Sequence, residues 1–355
     1  LDARIQAELL LAIFHTSSPM HDGGVIIHKH RIHSSGCLLP LSQDLHERGL
    51  IRRSFYINYW LEGGHVRLRL DPAARAEEDA IDAEVTETVT DYLRRRPSMH
   101  PMARIEQGSY YRKMFDLEYG EEERGRYFRE DGTAILQSNN TVVRREYEPE
   151  WDRYGGPVGM VISEDFFADS TQLAGTVIDL GNTSTRTILL GLGAEIMAVT
   201  AAALLSDHAA LAAFLQFYHS HWAGSYGSSV TYTQKTDQPR FRKTVSLLQR
   251  SVVPMIDAVL AGAHEDLPGF LGDWARTCIT YRRRIEEAVS ERALVFRHRD
   301  GTENRPDNVS EAAWNLCHSY VHMTSNRLMI SIEDEAYLAF EILQALSPRL
   351  METAA

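Results

Sequence analysis

The chain has 355 residues, 44% of them hydrophobic, enough to bury one large core or two moderate ones, which excludes a small scaffold stapled by disulfides or metal. Its formal net charge of -12 opposes nucleic acid, so no direct contact with RNA or DNA is expected. Three cysteines, Cys37, Cys278 and Cys317, are far apart and odd in number, which argues against a disulfide framework and for a reducing compartment, the cytoplasm.

In chain order, residues 2–14 have helical spacing and Ser17-Ser18-Pro19 marks a turn. Gly23-Gly24 then opens a strand at Val25-Ile26-Ile27, and a second apolar stretch ends at Pro40. The first residue is Leu1 rather than Met, so the N-terminus is read as that of a fragment or a processed product. His21, His28, His30 and His33 lie close together, but their spacing fits no tetrahedral metal signature and reads as polar decoration of a strand and turn. The blocks Leu1-Asp2-Ala3, Ile13-Phe14, Ser18-Pro19-Met20-His21-Asp22-Gly23-Gly24-Val25-Ile26-Ile27 and Cys37-Leu38-Leu39-Pro40-Leu41-Ser42 resemble part of the diadenylate cyclase domain. That resemblance implies a nucleotide and metal motif at Asp22-Gly23-Gly24, where the family has Asp-Gly-Ala. Its Arg-His-Arg motif has no counterpart beyond the loose Arg52-Arg53-Ser54. A segment this short cannot close its own sheet or cover both faces. Residues 1–44 are therefore expected to be a truncated piece, left by a gene fusion or a joining artefact, with diadenylate cyclase activity the remotest reading.

From Ser54 the pattern changes. Phe55-Tyr56-Ile57-Asn58-Tyr59-Trp60, the break at Glu62-Gly63-Gly64, and His65-Val66-Arg67-Leu68-Arg69-Leu70 predict a hairpin. The period of two puts His65, Arg67 and Arg69 on one face and Val66, Leu68 and Leu70 on the other. The cationic face, taken alone, is an ordinary solvated one. Residues 71–96 read as a charged helix ending before Pro97, and residues 97–140 as short strands and loops completing the sheet. Helices follow over 158–167, 184–205, 209–222, 240–263, 267–290, 310–326 and 333–346, with Ser310 as a cap. The apolar run 187–205 is interrupted by Glu195 and reads as a buried helix, not a membrane span. The fold class is α+β, an N-terminal antiparallel sheet packed against a mainly α-helical C-terminal half, with residues 48–355 as one unit.

Two motifs carry chemistry. Tyr147-Glu148-Pro149-Glu150-Trp151-Asp152-Arg153-Tyr154-Gly155-Gly156-Pro157 is a turn into a helix. Its glycines let backbone approach a ligand, and Arg153 offers a planar fork for a carboxylate or else pairs with Asp152 or Glu150. His318, His322 and Asn326 recur every four residues, sharing a helix face beside Arg327. A zinc protease would need Glu after the first His, where Ser319 stands, and no third ligand is evident, so no metal is expected. A His there is either packed in the core or a base, because its ordinary pKa lies near neutrality. No Gly-x-Gly-x-x-Gly after a strand, Walker loop or Gly-x-Ser-x-Gly elbow occurs, and His219 and His221 near Trp222 read as a helix end.

Residues 52–355 resemble the C-terminal domain of class I lantibiotic dehydratases, the domain of thiopeptide-type bacteriocin biosynthesis. The resemblance rests on Phe55-Tyr56-Ile57, on Gly64 to Leu70, on Glu148 to Pro157, and on His318-Ser319-Tyr320-Val321-His322-Met323-Thr324-Ser325-Asn326-Arg327-Leu328. It implies elimination of glutamate from glutamylated Ser or Thr of a ribosomal precursor peptide carrying a leader, giving dehydroalanine or dehydrobutyrine without a cofactor. Arg67 and Arg153 would hold the glutamyl group and His322 would move the proton. Arg69, His65, Tyr154, Asn326, Arg327 and His318 are the expected substrate contacts. The implied partner is a separate glutamylation protein dependent on glutamyl-tRNA, and a homodimer is expected on general frequency. Two other readings stand beside this one: a [4+2] cyclase forming a thiopeptide pyridine, and a non-catalytic scaffold that binds leader peptide.

Overall fold

The computed structural model describes residues 7–12, 36–97, 109–180, 183, 185–226, 239–298 and 300–353. The chain forms two compact units, one of residues 1–148 with 178–184, the other of residues 149–177 with 185–355. The class is α+β, with an antiparallel sheet in the first unit and helices through the second.

In the first unit β1 (Ala7–Ala12), β2 (Ile51–Tyr59), β3 (His65–Pro72) and β4 (Thr141–Glu146) pair antiparallel in the order β2-β3-β1-β4. The β2–β3 hairpin falls where the sequence predicts it, with Tyr56 opposite Leu68, Ile57 opposite Arg67 and Tyr59 opposite His65. Its connection passes through left-handed backbone at Glu62 (φ 63°) and Gly63 (φ 100°), and the Gly63 amide donates to the Trp60 carbonyl at 3.1 Å.

Tyr56, Val66, Leu68 and Leu70 share a core with α1 (Leu38–Glu47) and α2 (Glu78–Arg95). Helix α2 contributes Ile81, Val85, Val89 and Leu93, a four-residue spacing that makes one apolar stripe, each burial worth roughly 1.5–3 kcal/mol. It stops at Arg95 because Pro97 pushes the residue before it out of helical backbone, and Arg96 sits at φ -137°, ψ 64°. The helix starts later than residue 71 because β3 runs through Pro72, with the Asp71 carboxylate held by Arg52 at 2.5 Å and Arg53 at 3.2 Å.

Two expectations are corrected here. Residues 7–12, expected inside a helix, form β1, which gains ladder bonds from β3 on one side and β4 on the other; that pairing outweighs the local helical spacing. Residues 97–140, expected as short strands and loops, contain α3 (Ser109–Glu118) and α4 (Arg124–Tyr127), and among the described residues their strand pairing is limited to an isolated bridge between Phe128 and Ala134. Tyr111 and Phe115 are four residues apart, so the aromatic alternation concealed a helical stripe, which packs with Leu61 and Phe128. The strand expected at Val25-Ile26-Ile27, the histidines 21, 28, 30 and 33, and Asp22-Gly23-Gly24 lie outside the described residues.

The second unit contains α5 (Gly156–Asp179, its last two residues counted with the first unit), α6 (Arg186–Leu205), α7 (His208–Tyr226), α8 (Pro239–Leu260), α9 (Phe270–Ser290), a two-residue ladder of β5 (Phe296–Arg297) with β6 (Glu303–Asn304), α10 (Val309–Arg327) and α11 (Ile332–Thr353). Helix α6 is apolar on nearly every side, Glu195 apart, as a helix surrounded by others must be, and it packs against α8, α9, α10 and α11. It is also long and apolar enough to cross a membrane, yet 72% of its most apolar window is buried within the protein. Gly193 lets α6 approach the Ile330 and Leu338 side chains, where a Cβ would collide with Ile330 Cδ1. Helix α10 is capped not by Ser310 but by Asn308, whose Oδ1 accepts the Glu311 amide at 3.0 Å. Helix α11 continues past residue 346 to Thr353.

Candidate functional site

The turn into α5 is built by backbone. Gly155 and Gly156 lie at φ 82° and 81°, conformations that side chains resist, and the Gly156 amide donates to the Trp151 carbonyl at 2.7 Å. The amides of Val295 and Arg297 donate to the carbonyls of Gly155 and Asp152 at 3.1 and 3.0 Å, tethering the turn to β5. Arg153 is thereby presented half-exposed. Its Nε donates to Ser319 Oγ on α10 at 3.0 Å, and its Nη1 reaches Glu150 Oε2 at 3.3 Å. Asp152 instead lies 3.8 Å from Arg297. The exposed Glu150 pairing is a weak one, and the Ser319 bond brings the guanidinium to the helix that carries His322.

On α10 the four-residue spacing holds. The His318 ring stacks on Trp222 at 5.2 Å and meets the edge of His221 at 4.7 Å, with Tyr218 and Phe217 around it. Burial first, then the neighbouring His221, His322 and Arg153, hold the His318 pKa down at about 2, so this ring is neutral. His221 is lowered by the same burial and by His322 and Arg153. His322 lies 4.9 Å from Trp222, ring to ring, and its side chain keeps 18% of its surface open. Its Nδ1 is 3.1 and 3.2 Å from the two oxygens of Glu335, a carboxylate with no exposed surface. The Tyr218 phenol donates to the same carboxylate. Burial raises the Glu335 pKa, opposed by the His322 and Tyr218 hydrogen bonds.

Arg153, His318 and His322 are thus brought together. Arg327 is not: it is fully buried, donating from Nε to Thr171 Oγ1 at 3.0 Å and from Nη1 to the Met323 carbonyl at 2.6 Å, with its charge 5.1 Å from the Phe167 ring centre. Tyr154 is likewise buried, packed edge-on against Phe167. Asn326 keeps its place one turn beyond His322, partly exposed.

His65, Arg67 and Arg69 belong to the first unit. His65 is buried, its Nδ1–H donating to the Gly63 carbonyl at 2.7 Å, which leaves Nε2 to accept from Arg67 Nε at 3.1 Å. The Arg67 guanidinium lies 3.7 Å over the Tyr59 ring, whose phenol is bonded to that of Tyr119. Burial pushes Tyr119 up to about 12 despite Arg67. Arg69 is buried at 4.6 Å from the Tyr147 ring and 5.5 Å from Phe55. The expectation of a solvated cationic face is therefore corrected: aromatic rings cover these guanidiniums, with Arg69 buried and Arg67 partly so, a placement worth roughly 0.5–2 kcal/mol each.

Glu335, Tyr218, Trp222 and the involvement of His221 are not evident from the motifs. For Glu335 a signal existed, since it shares the stripe of Ala339, Ile342 and Leu346, where an acid interrupts apolar spacing. Among the described residues no group of three or more His, Cys, Asp or Glu is arranged to hold a metal.

The lantibiotic biosynthesis dehydratase C-terminal family matches residues 30–346. The nucleotide-binding family of the bacterial checkpoint controller DisA matches residues 1–53. Over 44 residues the chain is 44% identical to the cyclic di-AMP synthase CdaA of Bacillus subtilis (strain 168), covering 12% of this chain and only 16% of that protein. Among solved structures, TbtD, a pyridine synthase from thiomuracin biosynthesis, superposes with a TM-score of 0.68 at 14% identity, covering 97% of this chain and 98% of its own. TsrL does so at 0.56 and 16% identity, over 98% and 95%. MibB, a tRNA-dependent lantibiotic dehydratase from Microbispora sp. 107891, does so at 0.55 and 16% identity, over all of this chain and 29% of its own. At such identities these three likenesses are of fold.

Proposed function

The chain belongs to the lantibiotic biosynthesis dehydratase C-terminal family, and from that premise we propose that it eliminates glutamate from glutamylated Ser and Thr of a ribosomal precursor peptide. The observation that supports this reading is Arg153 hydrogen-bonded to Ser319, one turn from the partly open His322. Elimination needs a base near a weakly acidic C–H and a cation for the leaving carboxylate. His322 takes the Cα proton, the C–H electron pair becomes the Cα–Cβ double bond, the Cβ–O bond breaks, and glutamate departs as a carboxylate held by Arg153. One glutamylated Ser gives one dehydroalanine and one glutamate; Thr gives dehydrobutyrine. The resemblance assigns Arg67 to the same step. Residues 48–355 act as the elimination domain, and residues 1–44 make no nucleotide site. A separate protein using glutamyl-tRNA supplies the substrate in the cytoplasm.

A second reading, pyridine formation by [4+2] cyclisation of a dehydrated peptide, is favoured by the near-complete mutual coverage with TbtD. Arg153 counts against it, because a cyclisation has no glutamate carboxylate to grip.

The test incubates purified protein with a glutamylated precursor and, separately, with a dehydrated one, beside His322→Ala. Elimination predicts new dehydro residues from the first substrate only, lost in the variant while peptide binding persists. A glutamyl ester left intact by folded wild-type protein refutes it; pyridine formed from the second substrate establishes the cyclase, and neither substrate changed while wild type and variant bind peptide alike points to a scaffold.

A further inference from the structure

Glu335 is the third of three consecutive acids opening α11, a position where carboxylates ordinarily serve the helix N-terminus. That role is already filled. Ser331 Oγ accepts the Asp334 amide at 3.2 Å and donates to Asp334 Oδ2 at 2.8 Å, and Asp334 also pairs with Arg186 at 2.5 Å. Glu335 points the other way, inside the helical unit with no exposed surface, where an uncompensated carboxylate is strongly disfavoured. What compensates it is specific: the Tyr218 hydroxyl from α7 and the Nδ1 of His322 from α10, both donors. A carboxylate that accepts from Nδ1–H fixes the imidazole as the Nδ1–H tautomer and leaves the Nε2 lone pair for another proton.

We propose that Glu335 is the positioning residue of His322, holding its ring in the Nδ1–H tautomer with Nε2 as base and stabilising the imidazolium once the proton has been taken. This rests on the elimination reading and deepens it. Around the pair stand His318 on the same helix, His221, Tyr218 and Trp222 on α7, Asp334 on α11 and Arg153 on the turn. His318 is neutral, and the Arg153 charge lies toward Ser319, so Glu335 supplies the anion that the imidazolium requires.

Glu335→Gln keeps the shape but offers one acceptor oxygen to two donors. In elimination of a glutamylated precursor, Glu335→Gln lowers kcat about 100-fold or more with KM changed less than about twofold. The double variant with His322→Ala is no slower than His322→Ala alone, because Glu335 acts only through that ring. The second arm needs no activity: the imidazole nitrogens of 15N-histidine-labelled protein, with the His322 signals identified by their loss in His322→Gln. Wild-type protein at neutral imidazole shows a protonated Nδ1 and a bare Nε2, and Glu335→Gln shifts this toward Nε2–H. A wild-type spectrum with Nε2–H, or one unchanged by Glu335→Gln, overturns the proposal even if Glu335→Gln folds poorly enough to spoil its kinetics. If wild-type protein eliminates nothing yet shows the Nδ1–H tautomer dependent on Glu335, the pair stands and only the reaction assignment falls.

Discussion

His318→Phe tests the electrostatics of the helical unit directly. In the folded chain the ring is enclosed by Trp222, His221, Tyr218 and Phe217, and its Nε2 has no hydrogen-bond partner among the described residues. Burial, reinforced by His221, His322 and Arg153, holds its pKa at about 2, against ~6.5 in an unfolded chain. Between those values the unfolded state binds a proton that the folded state refuses. The stability that neutral His318 permits is therefore complete above about pH 6.5 and is lost as pH falls below it, at ~1.4 kcal/mol per unit. By about pH 4.5 the loss is ~2.7 kcal/mol, a large part of the ~5–15 kcal/mol that holds a typical domain together. Phe keeps the aromatic packing and has no proton to bind, while His221, Glu335 and the other titrating groups are common to both chains. Urea unfolding from about pH 7.5 to about pH 4.5 should show the variant gaining ~2–3 kcal/mol relative to wild type. Parallel curves would mean that the folded protein accommodates a charged His318.

Arg153→Ala should lower elimination by about 10²–10³-fold, and Arg153→Lys should recover little of it, because a point charge does not reproduce the fork. Stability in urea should change by less than about 1 kcal/mol in either, since the ion pair with Glu150 is exposed. Arg327→Met should cost about 2–3 kcal/mol through the lost bonds to Thr171 and Met323; a change under about 0.5 kcal/mol in the same assay would place that cation in water. Gly159→Ala puts a Cβ onto the Tyr154 carbonyl oxygen, so it should displace the Arg153 turn and cut elimination at least tenfold though no charged group is touched. Wild-type rates in that variant would show the turn to be irrelevant.

The parts of this protein legible in the sequence are those fixed by short-range period. The hairpin around Glu62-Gly63-Gly64 and the α2 stripe of Ile81, Val85, Val89 and Leu93 follow from spacing, and so does the presence of the seven C-terminal helices, although the first, expected over 158–167, runs on to Asp179. What failed depends on distant partners. β1 exists because β3 and β4 flank it, and Ser310 gave way to Asn308 as a cap because the helix begins one residue earlier than its apolar pattern. At the site, Arg153 and His322 could be named from their motifs, whereas the surroundings that give them chemistry come from α7 and α11. Nothing in the sequence places Trp222 beside His322 or Tyr218 against Glu335, and Arg327, adjacent in sequence to the face of His318 and His322, turns inward to Thr171. Helical phase separates residues that sequence proximity groups together.

Elimination is best followed with a precursor peptide glutamylated at serine bearing deuterium on Cα, reading peptide mass and free glutamate together. Elimination predicts one dehydroalanine and one glutamate per ester, slower than from the unlabelled peptide, and absent with His322→Ala. Glutamate released while serine is regained would mean ester hydrolysis, and that outcome, like an unreacted ester, would exclude elimination by His322.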